Sequence, residues 1–260
     1  MTTAFRTPHT TEWHRKIAED NLILLSQVGS GLHGVATDGD DRDEMGICIE
    51  PPECVIGLKR FEQYEFRTQP VGHRSGAGDL DKTIYSLRKY ATLAATGNPT
   101  VLMILFAPES ELVTTHWPGR DLRERRDMFL SKEAGSRFMG YLNRQRARML
   151  GELSQRTNRP ELVEKHGYDT KFAYHALRLA IQGSELMEYG IITLPMKEND
   201  RQYLLNVRNG LIAKKDVLEG LAEINHELIC ATTHSHLPDH PDYDKINEWL
   251  VQTHLDWWSR

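Results

Sequence analysis

The segment "NLILLSQVGSGLHGVATDGDDRDEMGICIE", residues 21–50, determines the fold that we predict for this chain. Residues 21–28 form an apolar run typical of a buried strand, and Gly29 and Ser30 follow it at once. We expect a short helix over 31–36, a turn over 37–40 and a second apolar strand over 44–50. The connection carries five acidic residues, so either water screens them on a loop or a cation lies among them: Asp38, Asp40, Asp41, Asp43 and Glu44.

Two of these acids have the spacing of metal ligands on a strand. Asp41 and Asp43 are two residues apart, so their side chains would share one face while Arg42 points to the other. Paired carboxylates beside a glycine-rich turn form an oxygen site suited to Mg²⁺. The backbone N–H groups around Gly29 and Ser30, at the start of a helix, favour phosphate oxygens. This order predicts a nucleotidyl-transfer site, and the alternative for such a turn is plain solvation.

The rest of the chain divides by pattern into an α/β half and a helical half. Residues 60–69, "RFEQYEFRTQ", predict a third strand, and the apolar spacing over 82–96 predicts a helix that ends at Gly97. Beyond a charged segment near residue 120 we find helical patterns over 131–153, 169–189, 214–232 and 243–258. We therefore predict a catalytic domain over 1–125 and a helical domain over 126–260.

Composition limits the classes of protein that this chain can represent. Its 260 residues include 39% hydrophobic residues and carry a formal net charge of −5, which allows a sizeable core and argues against a protein built mainly to coat nucleic acid. The apolar runs are far too short to cross a bilayer. The three cysteines have no paired spacing, so we expect a reducing cytoplasm, no disulfide and no cysteine zinc site.

Longer motifs resemble a known family. "GSGLHGVAT…DRDEMGI", "DKTIYSLRKYATLAATGNPTVLMILFAP" and "GYDTKFAYHALRLAIQGSELMEYGIITLP" are similar to the DNA polymerase β-type nucleotidyltransferase superfamily, and within it to the RNA-repair-associated, RlaP-like branch. The resemblance covers most of residues 20–210 and implies a small mixed sheet flanked by helices, followed by a helical domain. It also implies that Gly29 and Ser30 hold triphosphate and that Asp41 and Asp43 bind two metal ions. Asp40 stands where that superfamily usually has serine.

A third carboxylate is required if two metal ions take part in the transfer. "GDLDKTIYSLRKY" offers Asp79 and Asp81, and the resemblance aligns Asp81 with the third acid of the superfamily. Two alternatives stay open at this point. Asp81 could be an N-cap of the predicted helix, and Asp79 could be the ligand in its place.

The helical half contains a polar stripe on a mostly apolar helix. Lys171, His175 and Arg178 recur at steps of four and three residues, which places them on one face together with Gln182 and Glu185. The stripe could simply face solvent. We expect instead that it faces a cleft, where Lys171, His175 and Arg178 bind the nucleotide and the cations neutralise its phosphates.

Together these features predict an enzyme, a nucleotidyltransferase that uses two Mg²⁺ ions, with Mn²⁺ as an alternative, held by Asp41, Asp43 and Asp81. It would transfer a nucleoside monophosphate from an NTP, with ATP favoured, to an acceptor hydroxyl and release pyrophosphate. We favour an RNA 3′ end as acceptor over a protein hydroxyl, as in AMPylating or toxin-type enzymes, or a small molecule. The alternative from another class is a non-catalytic nucleotide-binding module. No membrane partner is expected, and the oligomeric state is left open.

Overall fold

A computed structural model describes residues 9–70, 73–153 and 159–260 of the chain. Within them, five strands form one mixed sheet flanked by helices, and a series of helices follows. The predicted α/β class with a helical C-terminal region is therefore confirmed. No helix in these three ranges is long and apolar enough to cross a membrane.

The strands are β1 (Leu22–Val28), β2 (Arg42–Cys48), β3 (Gln63–Arg67), β4 (Leu80–Ser86) and β5 (Leu112–Thr115). The helices are α1 (Glu12–Asp20), α2 (Gly29–His33), α3 (Pro52–Val55), α4 (Leu87–Ala95), α5 (Pro99–Phe106), α6 (Trp117–Glu124), α7 (Lys132–Met149), α8 (Pro160–His166), α9 (Thr170–Tyr189), α10 (Glu198–Arg208), α11 (Lys214–His234) and α12 (Tyr243–Trp258).

The sheet has the strand order β3-β4-β2-β1-β5, with β2 in the middle. β2 pairs in parallel with β4, and the other three pairings are antiparallel. Four consecutive residues of β1 are buried, which explains its continuous apolar run, because helices cover both faces of such a strand. β2 is buried from Glu44 to its end, while Asp41 and Asp43 at its start are half-buried.

Two predicted helices are wrong in their limits. α2 begins at Gly29, directly after β1, and not at residue 31. The helix predicted over 82–96 is a strand over its first five residues, because β4 runs to Ser86 and α4 begins only at Leu87. The apolar residues at 84 and 87 satisfy a helical spacing, but Ile84 is covered as a strand residue between β2 and β3.

The described residues of the chain divide into two compact units. The first unit comprises residues 1–95, 103–129 and 242–260, so the last helix packs with the sheet-forming residues. The second comprises residues 96–102 and 130–241. Compact packing does not establish independent folding, so the division into domains over 1–125 and 126–260 stays a prediction.

Polar anchors fix the last helix of the first unit. Trp249 of α12 donates its indole N–H to Asp121 of α6 at 2.6 Å. Trp258 donates its indole N–H to the carbonyl of Glu50 at 3.0 Å, and the buried Glu50 carboxylate accepts the backbone N–H of Leu87 at 3.0 Å. Buried polar groups that are satisfied in this way specify one arrangement of the helix and the strand ends.

The second unit is built around α9, which contacts α7, α10 and α11. α9 approaches α7 closely because Gly183 has no side chain. A Cβ at Gly183 would lie 2.9 Å from Cβ of Phe138, a fully buried residue of α7. Asp169 caps α9, since its carboxylate accepts the backbone N–H groups of Lys171 and Phe172 at 3.1 Å.

Candidate active site

Three carboxylates meet at one end of the two central parallel strands. Asp43 of β2 stands opposite Asp81 of β4 in the ladder, and Asp41 lies two residues before Asp43. Each of the three offers one oxygen, and these oxygens all lie within 4.8 Å of one another. The parallel register therefore brings together two acids that are 38 residues apart in the sequence (43 to 81).

On the opposite face of β2, ion pairs neutralise the neighbouring acid, Glu44. Glu44 is buried, and it pairs with Arg42 at 2.9 Å and with Lys82 at 3.0 Å. Glu44 and Lys82 face each other in the β2–β4 ladder, as Asp43 and Asp81 do one residue earlier. Because side chains alternate along a strand, one face carries an ion-paired acid and the other carries the cluster of three acids.

Asp40 has a structural part in the loop before β2. Its carboxylate accepts the hydroxyl of Ser30 at 3.1 Å and the backbone N–H of Thr37 at 2.8 Å. The carboxylate thus joins the first turn of α2 to the turn at residues 37–40. Asp40 is not among the three acids whose oxygens converge, because its carboxylate is bonded within the loop.

Gly29 allows the start of α2 to lie against Asp43. Its φ is +67°, a conformation that residues with a side chain rarely adopt. A Cβ at this position would lie 2.9 Å from Cβ of Asp43 and closer still to its carboxylate oxygen Oδ2. Val28 also pairs with Asp43 in the β1–β2 ladder, so the first turn of α2 begins beside the carboxylates. The backbone N–H groups of a first helical turn have no intrahelical partner, so they can bind an anion.

Asp81 is held in place by three donors. It accepts Arg67 Nη2 at 2.9 Å, Gln69 Nε2 at 2.9 Å and Ser75 Oγ at 2.8 Å. Burial raises the pKa of Asp81, but the hydrogen bonds from these three side chains and the charge of Arg67 outweigh it, so the pKa lies below its ordinary value. Asp81 is therefore an ionised and well-oriented carboxylate.

The structure bears on both alternatives for this segment, an N-cap role for Asp81 and a ligand role for Asp79. The N-cap interpretation of Asp81 is wrong, because Asp81 lies inside β4, six residues before α4 begins at Leu87. Asp79 lies outside the cluster: its carboxylate accepts the hydroxyl of Thr68 at 2.8 Å and the backbone N–H of Gly76 at 3.0 Å, which closes the loop before β4.

The cluster suits a divalent cation. Asp41 is half-buried and has no hydrogen-bond or ion-pair partner among the described residues, although two further carboxylates lie close to it. Three like charges at this separation disfavour one another unless a cation lies between them. All the groups are carboxylate oxygens, which Mg²⁺, Mn²⁺ and Ca²⁺ accept and which softer metals do not prefer.

The other predicted nucleotide ligands lie on α9, in the second unit. Arg178 donates to Gln182 Oε1 at 2.7 Å, and its buried Nε has no hydrogen-bond partner. Lys171 forms no ion pair with any described residue. Burial lowers the pKa of His175 well below its ordinary value, and the charges of Arg178, Lys171, Arg159 and Arg208 lower it further. His175 is thus a neutral imidazole among four cationic side chains.

The polar stripe predicted on α9 has two parts. Glu185 accepts the backbone N–H and the hydroxyl of Thr193, each at 2.7 Å, and pairs with Lys197 at 3.0 Å. That end of the stripe binds the segment after α9. The cations lie toward the first half of the helix, where Arg159 also pairs with the capping Asp169 at 3.4 Å.

A scan against protein families finds one that matches nearly the whole chain. The model of the RNA repair pathway DNA polymerase beta family (RlaP) matches residues 6–252. The chain belongs to this family. The predicted resemblance is confirmed, and with it a nucleotidyltransferase-like assignment of the polymerase β type.

Two individual proteins show where this family member is similar to others. An uncharacterized 38.9 kDa protein from the nrdC-mobD intergenic region of Enterobacteria phage T4 is 26% identical over 125 residues, which are 47% of this chain and 37% of the phage protein. The chain thus spans little more than a third of the length of that relative. A crystal structure of a nucleotidyltransferase-like protein from Exiguobacterium sibiricum 255-15 covers 84% of this chain and 72% of its own, at 11% identity and a TM-score of 0.33.

The sequence patterns do not predict several residues that contact Asp81 or act on the pKa of His175. Arg67 faces Asp81 in the β3–β4 ladder. The register of two predicted strands would indicate this pair, but the sequence pattern predicts a helix over most of β4. Gln69 and Ser75 belong to the connection between these strands and carried no periodic signal. Arg159 and Arg208 come from outside α9, so the spacing of the stripe could not include them.

Proposed function

We propose that the protein transfers a nucleoside monophosphate from an NTP to an acceptor hydroxyl, with an RNA 3′ end as the favoured acceptor. The convergence of Asp41, Asp43 and Asp81 beside Gly29 is the observation that carries this proposal. The family membership supports the type of reaction. A new bond joins the acceptor oxygen to the α-phosphorus, the bond from that phosphorus to the β-phosphate oxygen breaks, pyrophosphate leaves, and the hydroxyl proton passes to water.

Asp41, Asp43 and Asp81 would hold the divalent metal, for which we propose two Mg²⁺ ions with Mn²⁺ as the substitute. Bound there, such ions neutralise the charge of the triphosphate and favour ionisation of the attacking hydroxyl. The protein contributes position. Arg67, Gln69 and Ser75 fix Asp81 before any ligand arrives, so little reorganisation is needed during the reaction. The backbone N–H groups of Gly29 and Ser30, in the first turn of α2, would provide donors for phosphate oxygens.

Lys171, His175 and Arg178 are proposed as further nucleotide ligands in the helical unit. Arg178 Nε is a buried donor with no partner, and Lys171 has no acidic partner among the described residues, so both have unused capacity for phosphate oxygens. His175 is kept neutral by its surroundings and can accept as well as donate. We propose ATP as the favoured NTP and an intracellular, cytoplasmic site of action, in keeping with the unpaired cysteines.

The decisive experiment offers the protein each NTP labelled at the α-phosphate together with Mg²⁺ and one of three acceptors. These are RNA with a free 3′ hydroxyl, the same RNA with a blocked 3′ end, and total cellular protein. We expect label on the first acceptor and none on the second. Label on protein instead would replace our proposal by an AMPylating function, and NTP binding without transfer to any acceptor would leave a non-catalytic module.

The matched variant for this experiment is Asp43→Asn, which removes a negative charge at nearly constant volume. Transfer should fall below detection while the melting temperature stays within a few degrees of that of the unaltered protein, because relief of repulsion among three carboxylates offsets lost contacts. Near-normal turnover of Asp43→Asn would refute the assignment of the site.

A further inference from the structure

A pocket with a largely apolar lining and several cationic and N–H-bearing side chains lies on the β5 side of the first unit, away from the carboxylates. It has a volume of about 400 Å³, and six residues line it: Thr115, His116, Trp117, Arg120, Trp257 and Arg260. Thr115 pairs with Leu24 of β1, whereas Asp43 pairs with Val28, four residues further along that strand. At roughly 3.3 Å per residue the two places are about 13 Å apart along β1 and lie on different neighbours of that strand.

Four of the six side chains that line this pocket carry N–H groups that only donate: Trp117, Arg120, Trp257 and Arg260. Arg120 is exposed and forms no ion pair with any described residue, and none of the six lining side chains is acidic. The indole Nε1 of Trp117 and the hydroxyl of Thr115 are buried without a hydrogen-bond partner. Guanidinium and indole N–H groups can only donate. A chain with a net charge of −5 therefore forms here a local basic site that requires acceptors.

The backbone adds to the same polarity. α6 begins at Trp117, and its N-cap residue His116 makes no side-chain capping hydrogen bond. Pro118, the second residue of α6, has no N–H, so the N–H groups of Trp117 and Gly119 and the positive end of the helix dipole are what favour an anion there. The feature alone would mean little, but here it coincides with two arginines and a buried, unsatisfied indole N–H.

The pocket also has flat aromatic walls. The indoles of Trp117 and Trp257 line it, and the guanidinium of Arg260 lies 4.8 Å from the ring centre of Trp117. Trp257 has a structural contact as well, because its N–H donates to Asn21 at 3.4 Å. Aromatic rings beside cations that have no acidic partner can bind nucleotides, since a ring stacks on a base and the cations neutralise the phosphate.

We propose that this pocket binds one nucleotide unit, with its phosphate at Arg120 and Arg260 and its base against the indoles. Under the function proposed above, on which this part of the inference rests, the nucleotide is an unpaired residue of the acceptor RNA. A free nucleoside monophosphate carries the same chemistry, and the experiment separates the two sources. The pocket then holds the acceptor strand while the carboxylates of the first unit act on its end.

The test measures binding in the Asp43→Asn protein without metal or NTP, so that the carboxylate site does not contribute. The ligands are a labelled single-stranded RNA of about ten nucleotides, its duplex, AMP and inorganic phosphate. Arg120→Glu should weaken binding of the single strand at least about tenfold, because a charge-assisted hydrogen bond is replaced by repulsion. Trp117→Phe, which keeps an aromatic ring but loses the indole N–H and part of the stacking area, should weaken it about threefold. Arg144→Glu in α7 is the charge-matched control at another exposed arginine, and should leave binding within twofold.

Each outcome has a definite meaning once melting curves show that the variants are folded. Loss of single-strand binding in Arg120→Glu and Trp117→Phe, with AMP bound weakly, supports an RNA residue as ligand. The same losses for AMP and not for RNA support the pocket and overturn the strand as its source. Equal binding of AMP and inorganic phosphate would overturn the role of the indoles. If neither variant differs from Arg144→Glu, the pocket is not a nucleotide site, whatever the outcome of the transfer assay with the unaltered protein.

Discussion

The carboxylate cluster of the first unit and the group of cations around His175 in the second unit differ in how the chain assembles them. Asp41, Asp43 and Asp81 come from two neighbouring strands, and backbone pairing sets their separation. Lys171, His175 and Arg178 share one helix, but Arg159 and Arg208, which also act on the pKa of His175, come from other segments. Backbone hydrogen bonds hold the first site rigidly, whereas the second relies on long side chains. We therefore expect substitutions in the first to affect turnover and those in the second to affect affinity.

The largest effect should come from Asp81→Asn compared with Asp79→Asn. Loss of residues that merely orient metal ligands typically costs 10–100-fold, so loss of a ligand should lower kcat at least about a hundredfold. Asp79→Asn should instead cost about 1 kcal/mol of stability, because it weakens hydrogen bonds from Thr68 and Gly76, and leave kcat within a few fold. Steady-state kinetics and denaturant unfolding on both variants measure this contrast. The reverse pattern would mean that the third ligand is Asp79.

Gly29→Ala tests whether backbone rigidity governs the first site. The new Cβ would collide with Asp43 at a positive φ, so we expect a loss of about 1–3 kcal/mol in the free energy of unfolding. Displacement of the carboxylate by about 1 Å should lower kcat by up to about a hundredfold. Gly39→Ala is the control, because a Cβ there meets nothing within 4 Å. Equal behaviour of the two variants would refute the tight approach of α2 to β2.

Arg178→Ala addresses the second site by affinity. If its guanidinium binds NTP phosphates, removal of a charge-assisted hydrogen bond worth roughly 1.5–3 kcal/mol should raise KM at least about tenfold with little change in kcat. Unchanged kinetics with a stability change below about 0.5 kcal/mol would indicate a solvated residue. A large loss of stability at constant KM would mean that Arg178 is structural, through Gln182.

His175→Gln should give the smallest effect, and only in acid. Because the pKa of His175 is lowered in the folded protein, the unfolded chain binds a proton near pH 6.5 that the native state does not. The native protein should thus lose up to about 1.4 kcal/mol per pH unit relative to the variant as pH falls below about 6.5, and nothing above it. Parallel unfolding curves of protein and variant at several pH values measure this difference. A constant difference across pH would contradict the neutral imidazole.

The sequence predicts the convergence of the three carboxylates better than the grouping of cations around His175, for a physical reason. Period-two spacing identified Asp41 and Asp43, and the apolar strands around them predicted the sheet. β4 was missed because Ile84 and Leu87 satisfy a helical period as well, and tertiary pairing with β2 and β3 decided the outcome. The prediction of Asp81 as the third acid rests instead on the resemblance to the polymerase β-type superfamily. The cations contributed by other segments depend on packing between helices, which spacing within α9 does not report.

The parallel pairing of Asp43 with Asp81 has a consequence for recognising distant relatives. The connection that precedes a strand can vary in length, provided that the strand enters the ladder in the same register. A slip of β4 by one residue would turn Asp81 to the other face of the sheet. Insertions between α3 and β3, outside the β3–β4 connection that holds Asp81, should therefore be tolerated better than an insertion or deletion of one residue within β4. A search pattern for such proteins should fix the strand positions of the acids and allow the interval between them to vary.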